Sequence, residues 1–318
     1  YWKHRLGHEV ALFWGSHVSH HQSEDYNLGT ALRQTSIDFH GFLFFLPLLV
    51  LGYPAEILFS VVSLNLIYQF WVHTEHIPKL GVLEWVLVTP SNHRVHHARN
   101  KLYVDKNYGG VFIIWDRLFG SYQDELESEP AMFGLRKPLN SWNPLWANVH
   151  VYWRLVLDFW QAPGLINKLK LPFMPPGWQP NGMRTQCKNA QVPADLSVKF
   201  DPQISRFIQL YVLSQFVMTT AVSLLVLLNG NQLSGVILWI AVGSFAFSFY
   251  VFGTWLEART YRHRLEYARL LMMALSCQLL LSNSIWFAIS GSWLLFSAVT
   301  VMLKGASEKS GEQRQVSA

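Results

Sequence analysis

Two five-residue segments with one histidine pattern, HVSHH at 17–21 and HRVHH at 93–97, are the stretches best equipped for chemistry. They carry His17, His20 and His21, and His93, His96 and His97. A third segment, HRLGH, adds His4 and His8, so eight of thirteen histidines fall in three clusters. On a helix, residues three and four apart share a face, and the spacing predicts that each cluster aims its imidazoles at one point. Neutral imidazole is a common ligand of zinc, iron and copper. A solitary histidine is more often a packing residue. Eight imidazoles grouped beside apolar segments have no packing use, and they predict metal binding. A tetrahedral site takes about four ligands, so eight predict two ions.

His73, in FWVHTEH, is a ninth candidate ligand, and His76 three residues on could join it. Glu75 between them is the candidate catalytic carboxylate: it could orient a ligand histidine, contact substrate or cofactor, or simply be exposed. His40, His150 and His263 lie outside the clusters and are expected at interfaces or in solvent.

Ligands this far apart must be returned to one place, and the apolar segments suggest how. The chain is 51% hydrophobic and 14% charged, with 14 Trp, 12 Tyr and 21 Phe. Such a composition suits a membrane protein, with Trp and Tyr at its interfaces. Residues 40–71 form two apolar arms around a turn marked by Pro47, Gly52, Pro54 and Glu56, a membrane hairpin at about 39–72. From Phe207 to Leu256, and again from Leu270 to Leu303, there is no Asp, Glu, Lys or Arg. A span needs about 20 residues. Spans are therefore expected at about 207–228, 234–255, 268–281 and 284–303, separated by NGNQ at 229–232 and a break near SNS or SGS. The loop EARTYRHRLEYAR carries Arg259, Arg262, Arg264 and Arg269, which places it on the cytoplasmic side. Each hairpin returns the chain to its starting face, so all histidine clusters share the cytoplasmic face. The expected fold is an all-α integral membrane protein, with transmembrane helical hairpins and a cytosolic, histidine-rich helical metal-binding cap.

Residues 146–206 are expected to connect the cap to the C-terminal helices at 207–303. The stretch WNPLWANVHVYWRLVLDFW is either an interfacial helix presenting Trp142, Trp146, Trp153 and Trp160 to headgroups or a helix packed on the cytosolic domain. Residues 304–318 read as a disordered tail. The net charge of +5 is dispersed between apolar runs, which argues against a nucleic-acid partner. Cys187 and Cys277 fit no paired pattern and favour a reducing compartment. The chain enters motif-like sequence at residue 4 without a leading Met, from which an upstream segment is expected.

The order H-x-x-x-H, H-x-x-H-H, apolar hairpin, H-x-x-H-H resembles the fatty acid hydroxylase/sterol desaturase superfamily of membrane di-iron enzymes. YWKHRLGHE, HHQSEDYNLGTALRQ, YQFWVHTEHI, TPSNHRVHHARNKLYVDKNYGGVFIIWDRLFGSY and FGLRKPLNSWNP are similar to its alkylglycerol monooxygenase branch, as are PPGWQP and the apolar C-terminal helices. The resemblance is dense over residues 1–145, which it makes a fatty acid hydroxylase-like catalytic domain. It implies that His4, His8, His17, His20, His21, His93, His96 and His97 bind two iron ions, with His73 and Glu75 on the branch's H-T-E segment. It also implies O2 and an ether-lipid substrate, hydroxylated beside the ether oxygen, with tetrahydrobiopterin as electron donor. Asn92 stands where the family commonly has a further histidine.

Several alternatives remain open on the residues themselves. A relative in the same superfamily could act on fatty acyl chains, sterols or carotenoids, with electrons from a donor protein. A metal transporter would need ionisable residues within its spans, and a catalytically silent metal scaffold would need only the histidines. The enzyme reading places the protein in a bacterial inner membrane or the endoplasmic reticulum.

Overall fold

Helix is the regular structure of this chain, joined among the described residues only by two isolated bridges, Leu87 with Phe112 and Ala98 with Phe133. The computed structural model describes residues 1–35, 37–38, 40–183, 198–280 and 291–302. The expected tail, Cys187 and the expected break at SNS lie outside them. The chain divides into two units: Tyr1–Asn140 with Trp146–Phe200, and Ser141–Leu145 with the chain from Asp201 onward.

The first unit begins with α1 (Trp2–Glu9) and α2 (Ala11–His21), packed together and separated only by Val10 in an extended conformation. A short α3 (Leu28–Leu32) starts at an Asn27 capping box closed by Thr30. Two apolar helices follow, α4 (Gly41–Val50) and α5 (Ala55–Trp71). Gly52, at φ 89°, makes the turn between them in a conformation that favours glycine. Helix α6 (Pro90–His97) has a strong start signal, with Thr89 as N-cap and Pro90 in the first turn. The short α7 (Ile114–Leu118), α8 (Pro144–Gln161) and α9 (Leu165–Lys170) complete the series.

Two apolar helices stand where the membrane hairpin is expected, but they are shorter than a pair of spans. Helix α4 has 10 residues and α5 has 17, about 15 and 25 Å of helix against a hydrocarbon core of about 30 Å. Pro47, Gly52 and Pro54 end or bend the helices before either arm reaches span length. The arms are mostly apolar, and Phe42, Val50, Phe59, Leu64 and Ile67 are exposed while no residue of α5 is buried. Helix α8 packs on the first unit, as the second alternative expects, and leaves tryptophans exposed. Its Tyr152 hydroxyl meets Ser16 Oγ at 2.7 Å, and its Ala147 carbonyl accepts from Gln22. Its Trp153 and Trp160 are exposed.

The second unit contains α10 (Arg206–Asn229) and α11 (Gly235–Leu256), both long and apolar enough to cross a membrane. Each starts at a serine N-cap, Ser205 and Ser234. Helix α12 (Arg262–Leu280) and the shorter apolar α13 (Gly291–Met302) follow. Here the loop expected over EARTYRHRLEYAR is corrected in extent. The helix begins at Arg262, and Glu266 and Arg269 are completely buried. Glu266 accepts from the Tyr211 hydroxyl at 2.6 Å, from Trp255 Nε1 and from the Arg269 guanidinium. Arg269 also donates to Gln215 Oε1 at 2.6 Å, and Gln215 donates to Ser297. Removing one member of a buried ion pair strands the other, at a cost of about 3–5 kcal/mol, whereas replacing both with apolar groups is often nearly neutral. Arg269→Met should therefore lower the melting temperature in detergent far more than Arg269→Met combined with Glu266→Leu. Equal losses would contradict this reading of the pair.

Candidate metal centre

The nine candidate histidines assemble from four places in the first unit. They form two groups: His4, His8, His17, His21 and His96, and His20, His73, His93 and His97. Within each group the ligating atoms lie within 4.8 Å of one another. Eight of the nine lie on three helices, and their spacing explains the division. Successive residues turn by about 100°, so positions i and i+4 diverge by about 40° while i+3 lies about 60° to the other side of i. Each H-x-x-H-H triplet is therefore split, and the single point of convergence expected for each cluster is corrected. Helix α2 sends His17 and His21 to the five-histidine group and His20 to the other. Helix α6 does the reverse, sending His93 and His97 to the four-histidine group and His96 to the first. Helix α1 supplies the pair His4 and His8, and the bend after α5 supplies His73.

Backbone carbonyls orient four of the rings. His4 Nδ1 donates to Tyr108 O at 2.8 Å and His96 Nδ1 to Lys106 O at 2.9 Å. His73 Nδ1 donates to Gln69 O at 2.7 Å and His20 Nδ1 to Arg33 O at 3.1 Å. A carbonyl only accepts, so each of these neutral rings carries its proton on Nδ1 and presents a lone pair at Nε2. His20 and His73 consequently face each other lone pair to lone pair, with Nε2 atoms 3.3 Å apart. His17 Nε2 lies 3.0 Å from both His4 Nε2 and His21 Nε2, and one N–H cannot serve both contacts. His8 Nε2 and His96 Nε2 are buried without a hydrogen-bond partner. A cation within each group would resolve these conflicts. Two nitrogens about 2.1 Å from one ion lie about 3.0 Å apart at a right angle and about 3.4 Å apart at the tetrahedral angle. The observed Nε2 separations run from 3.0 to 3.3 Å. The residues fit two metal ions held by nitrogen alone.

Residues around the rings hold this geometry, and the spacing of the histidines gave no sign of them. Asn107, fully buried in a left-handed conformation, donates to Asn92 O and Gln123 O and accepts from Gln123 N. It thereby anchors the turn whose Lys106 and Tyr108 carbonyls receive His96 and His4. Asp116 accepts from the backbone of Tyr108 and Gly109, each at 2.7 Å. Arg94, inside the HRVHH cluster, pairs with Glu125 and donates to Thr74 O and Ile77 O, tying the His73 bend to α6. Asn92 is buried and donates to Leu87 O, outside both groups. Glu75 and His76 are exposed and belong to neither group. His40 stacks on Phe13 at 4.3 Å.

Residues 1–121, which contain all nine histidines, match the family model described as fatty acid hydroxylase. The chain is 41% identical over 223 residues to alkylglycerol monooxygenase of Homo sapiens, covering 70% of this chain and 49% of that protein. It is 37% identical over 280 residues to alkylglycerol monooxygenase of Danio rerio, covering 86% and 61%. A bacterial relative, ornithine lipid hydroxylase OlsE of Rhizobium tropici, is 29% identical over 126 residues, covering 39% and 38%. The chain spans about half the length of the first of these relatives. No solved structure matches it.

The clustered imidazoles of residues 1–121 are kept neutral. Burial, the largest cause at every one of the nine, lowers His20 to about 3 and His73 and His96 to about 4. Burial, reinforced by neighbouring histidines, holds His4, His8, His17, His21, His93 and His97 well below the ordinary value near 6.5. The unfolded chain thus binds more protons than the folded one between about pH 6.5 and 4. This contribution to stability is full above about pH 6.5 and is lost as pH falls toward 4. Protons also compete directly with metal for the same lone pairs. Thermal melting and retained metal should decline together as pH falls from 7.5 to 5, and unchanged values across that range would contradict the neutral, ligating assignment.

Proposed function

We propose that this protein is a membrane di-iron monooxygenase that hydroxylates a lipid alkyl chain, acting on the carbon beside the ether oxygen of an alkylglycerol. The observation that carries the proposal is the pairing of two all-histidine groups inside a domain most of whose length aligns with alkylglycerol monooxygenases. The ligands are His4, His8, His17, His21 and His96 for one iron and His20, His73, His93 and His97 for the other. Nitrogen-only ligation with open positions suits iron that activates O2 to attack an unactivated C–H bond.

The chain's own residues supply positioning. The carbonyls of Tyr108, Lys106, Arg33 and Gln69 hold four rings in the ligating tautomer. The exposed apolar surface of α4 and α5 gives the alkyl chain and the bilayer a common environment beside His73. In the overall reaction one oxygen atom of O2 enters the C–H bond. The other leaves as water with two electrons and two protons from a reductant, for which tetrahydrobiopterin is the favoured donor and an electron-transfer protein the alternative. The hemiacetal formed collapses to a fatty aldehyde and glycerol. We assign the exposed carboxylate of Glu75 to contact with the reductant.

The histidine groups are proposed to face the cytoplasm, of a bacterial inner membrane or the endoplasmic reticulum. Exposed Arg259 and Arg264 between the two long apolar helices and the last one support this orientation. Similarity to an ornithine lipid hydroxylase favours one second reading, hydroxylation of an acyl chain without cleavage. Lipid product analysis of membranes supplied with 1-O-alkylglycerol, O2 and a tetrahydropterin separates the two. Fatty aldehyde is the expected product, with Glu75→Gln raising the KM for the pterin at unchanged iron content. Hydroxylated acyl lipid without aldehyde would overturn the ether-lipid proposal.

A further inference from the structure

Helix α5 is built for a lipid environment, yet it carries two amides, Asn65 and Gln69, one turn apart on one face. Their heads converge on Gly110. A Cβ placed there would lie 2.7 Å from Gln69 Nε2 and 2.8 Å from Asn65 Oδ1. Both amides are half-buried, and among the described residues neither head makes a hydrogen bond. The neighbouring polar group on the helix, Tyr68, is by contrast satisfied by Val88 O at 2.8 Å. An unpartnered amide in an apolar setting costs free energy and marks a place where a ligand would be expected to complete the hydrogen bonding.

The face bearing these amides leads directly to the metal centre. Gln69 uses its backbone carbonyl to orient His73, and its side chain reaches the Gly110 notch. The notch therefore lies about one helical turn, 5.4 Å of rise, from a metal ligand. A hydroxyl is the group that both donates and accepts, and the amides offer both an acceptor and a donor whichever way each is flipped. In an alkylglycerol the hydroxyl at the middle glycerol carbon stands four bonds from the carbon beside the ether oxygen, a separation comparable to that rise. We infer that Asn65, Gln69 and Gly110 form a subsite for the glycerol hydroxyls of the substrate, holding the headgroup so that the adjoining alkyl carbon reaches the metals. The inference rests on the ether-lipid reading and deepens it. Gly110 has a specific part: having no Cβ, it lets both amide heads close on its backbone and so sets them side by side for one hydroxyl.

The test uses the full chain in detergent, loaded with redox-inert zinc, and reads equilibrium binding by calorimetry. The probes are 1-O-hexadecylglycerol and hexadecyl methyl ether, which has the ether and the chain but no hydroxyl. The native protein should bind the glycerol ether at least tenfold more tightly than the methyl ether. Asn65→Leu and Gln69→Met should each reduce that preference several-fold, and together abolish it, with zinc content and methyl ether binding unchanged. Gly110→Ala should reproduce the loss from the opposite wall of the notch. A native protein without the preference would overturn the ether-lipid reading together with the subsite. A native preference that survives in the double variant and in Gly110→Ala would overturn the subsite alone.

Discussion

The first unit is organised around lone pairs that face one another. Nine imidazoles are packed together, pushed to the neutral form by burial, and four of them are turned by backbone carbonyls so that Nε2 points inward without a proton. Apart from a cation this arrangement is unfavourable, because the contact between His20 and His73 has no hydrogen to share and the Nε2 atoms of His8 and His96 have no hydrogen-bond partner. A cation in each group converts the same contacts into coordination. Metal binding to these groups would therefore be coupled to the folding of this unit. The surrounding polar residues, Asn107, Asp116 and Arg94, hold the backbone that keeps the rings in this unfavourable approach.

The exchange of histidines between α2 and α6 has a consequence for cooperation between the two groups. Each helix contributes rings to both groups, two to one and one to the other, so neither group can be disrupted without loosening a helix that serves its neighbour. His21 and His97, one from each group, stack at 4.3 Å. His73 is tied to this pair of helices through Arg94 and to α5 through Gln69, which couples the apolar hairpin to the four-histidine group. A lipid seated along the hairpin would thus meet the metal centre through one continuous set of contacts.

Much of this was legible in the residues. Histidine spacing marked eight of the nine rings now seen together, the end of the second apolar arm marked His73, and the length of apolar sequence marked α10 and α11 within one or two residues. The allocation of rings was not legible, because a triplet's division depends on what stands opposite each side of the helix. The hairpin looked longer than it is, since apolar residues continue through the turn at Gly52 and only the backbone shows where helix stops. Arg269 resembled a loop charge because its pairing with Glu266 lies three residues back and its other partner, Gln215, is 54 positions away. Asn107 and Asp116 act on backbone groups, which leave no periodic mark in side-chain types.

Two all-histidine groups imply two metal ions per chain on nitrogen alone, one in each group. Metal analysis combined with X-ray absorption on the purified chain and on His8→Ala and His93→Ala tests this most directly. The account predicts two ions per native chain with a shell of histidine nitrogens and no sulfur. It also predicts preferential loss from the five-histidine group in His8→Ala and from the four-histidine group in His93→Ala. A single ion per native chain, or two ions lost indifferently from either variant with protein carboxylates in the shell, would contradict it.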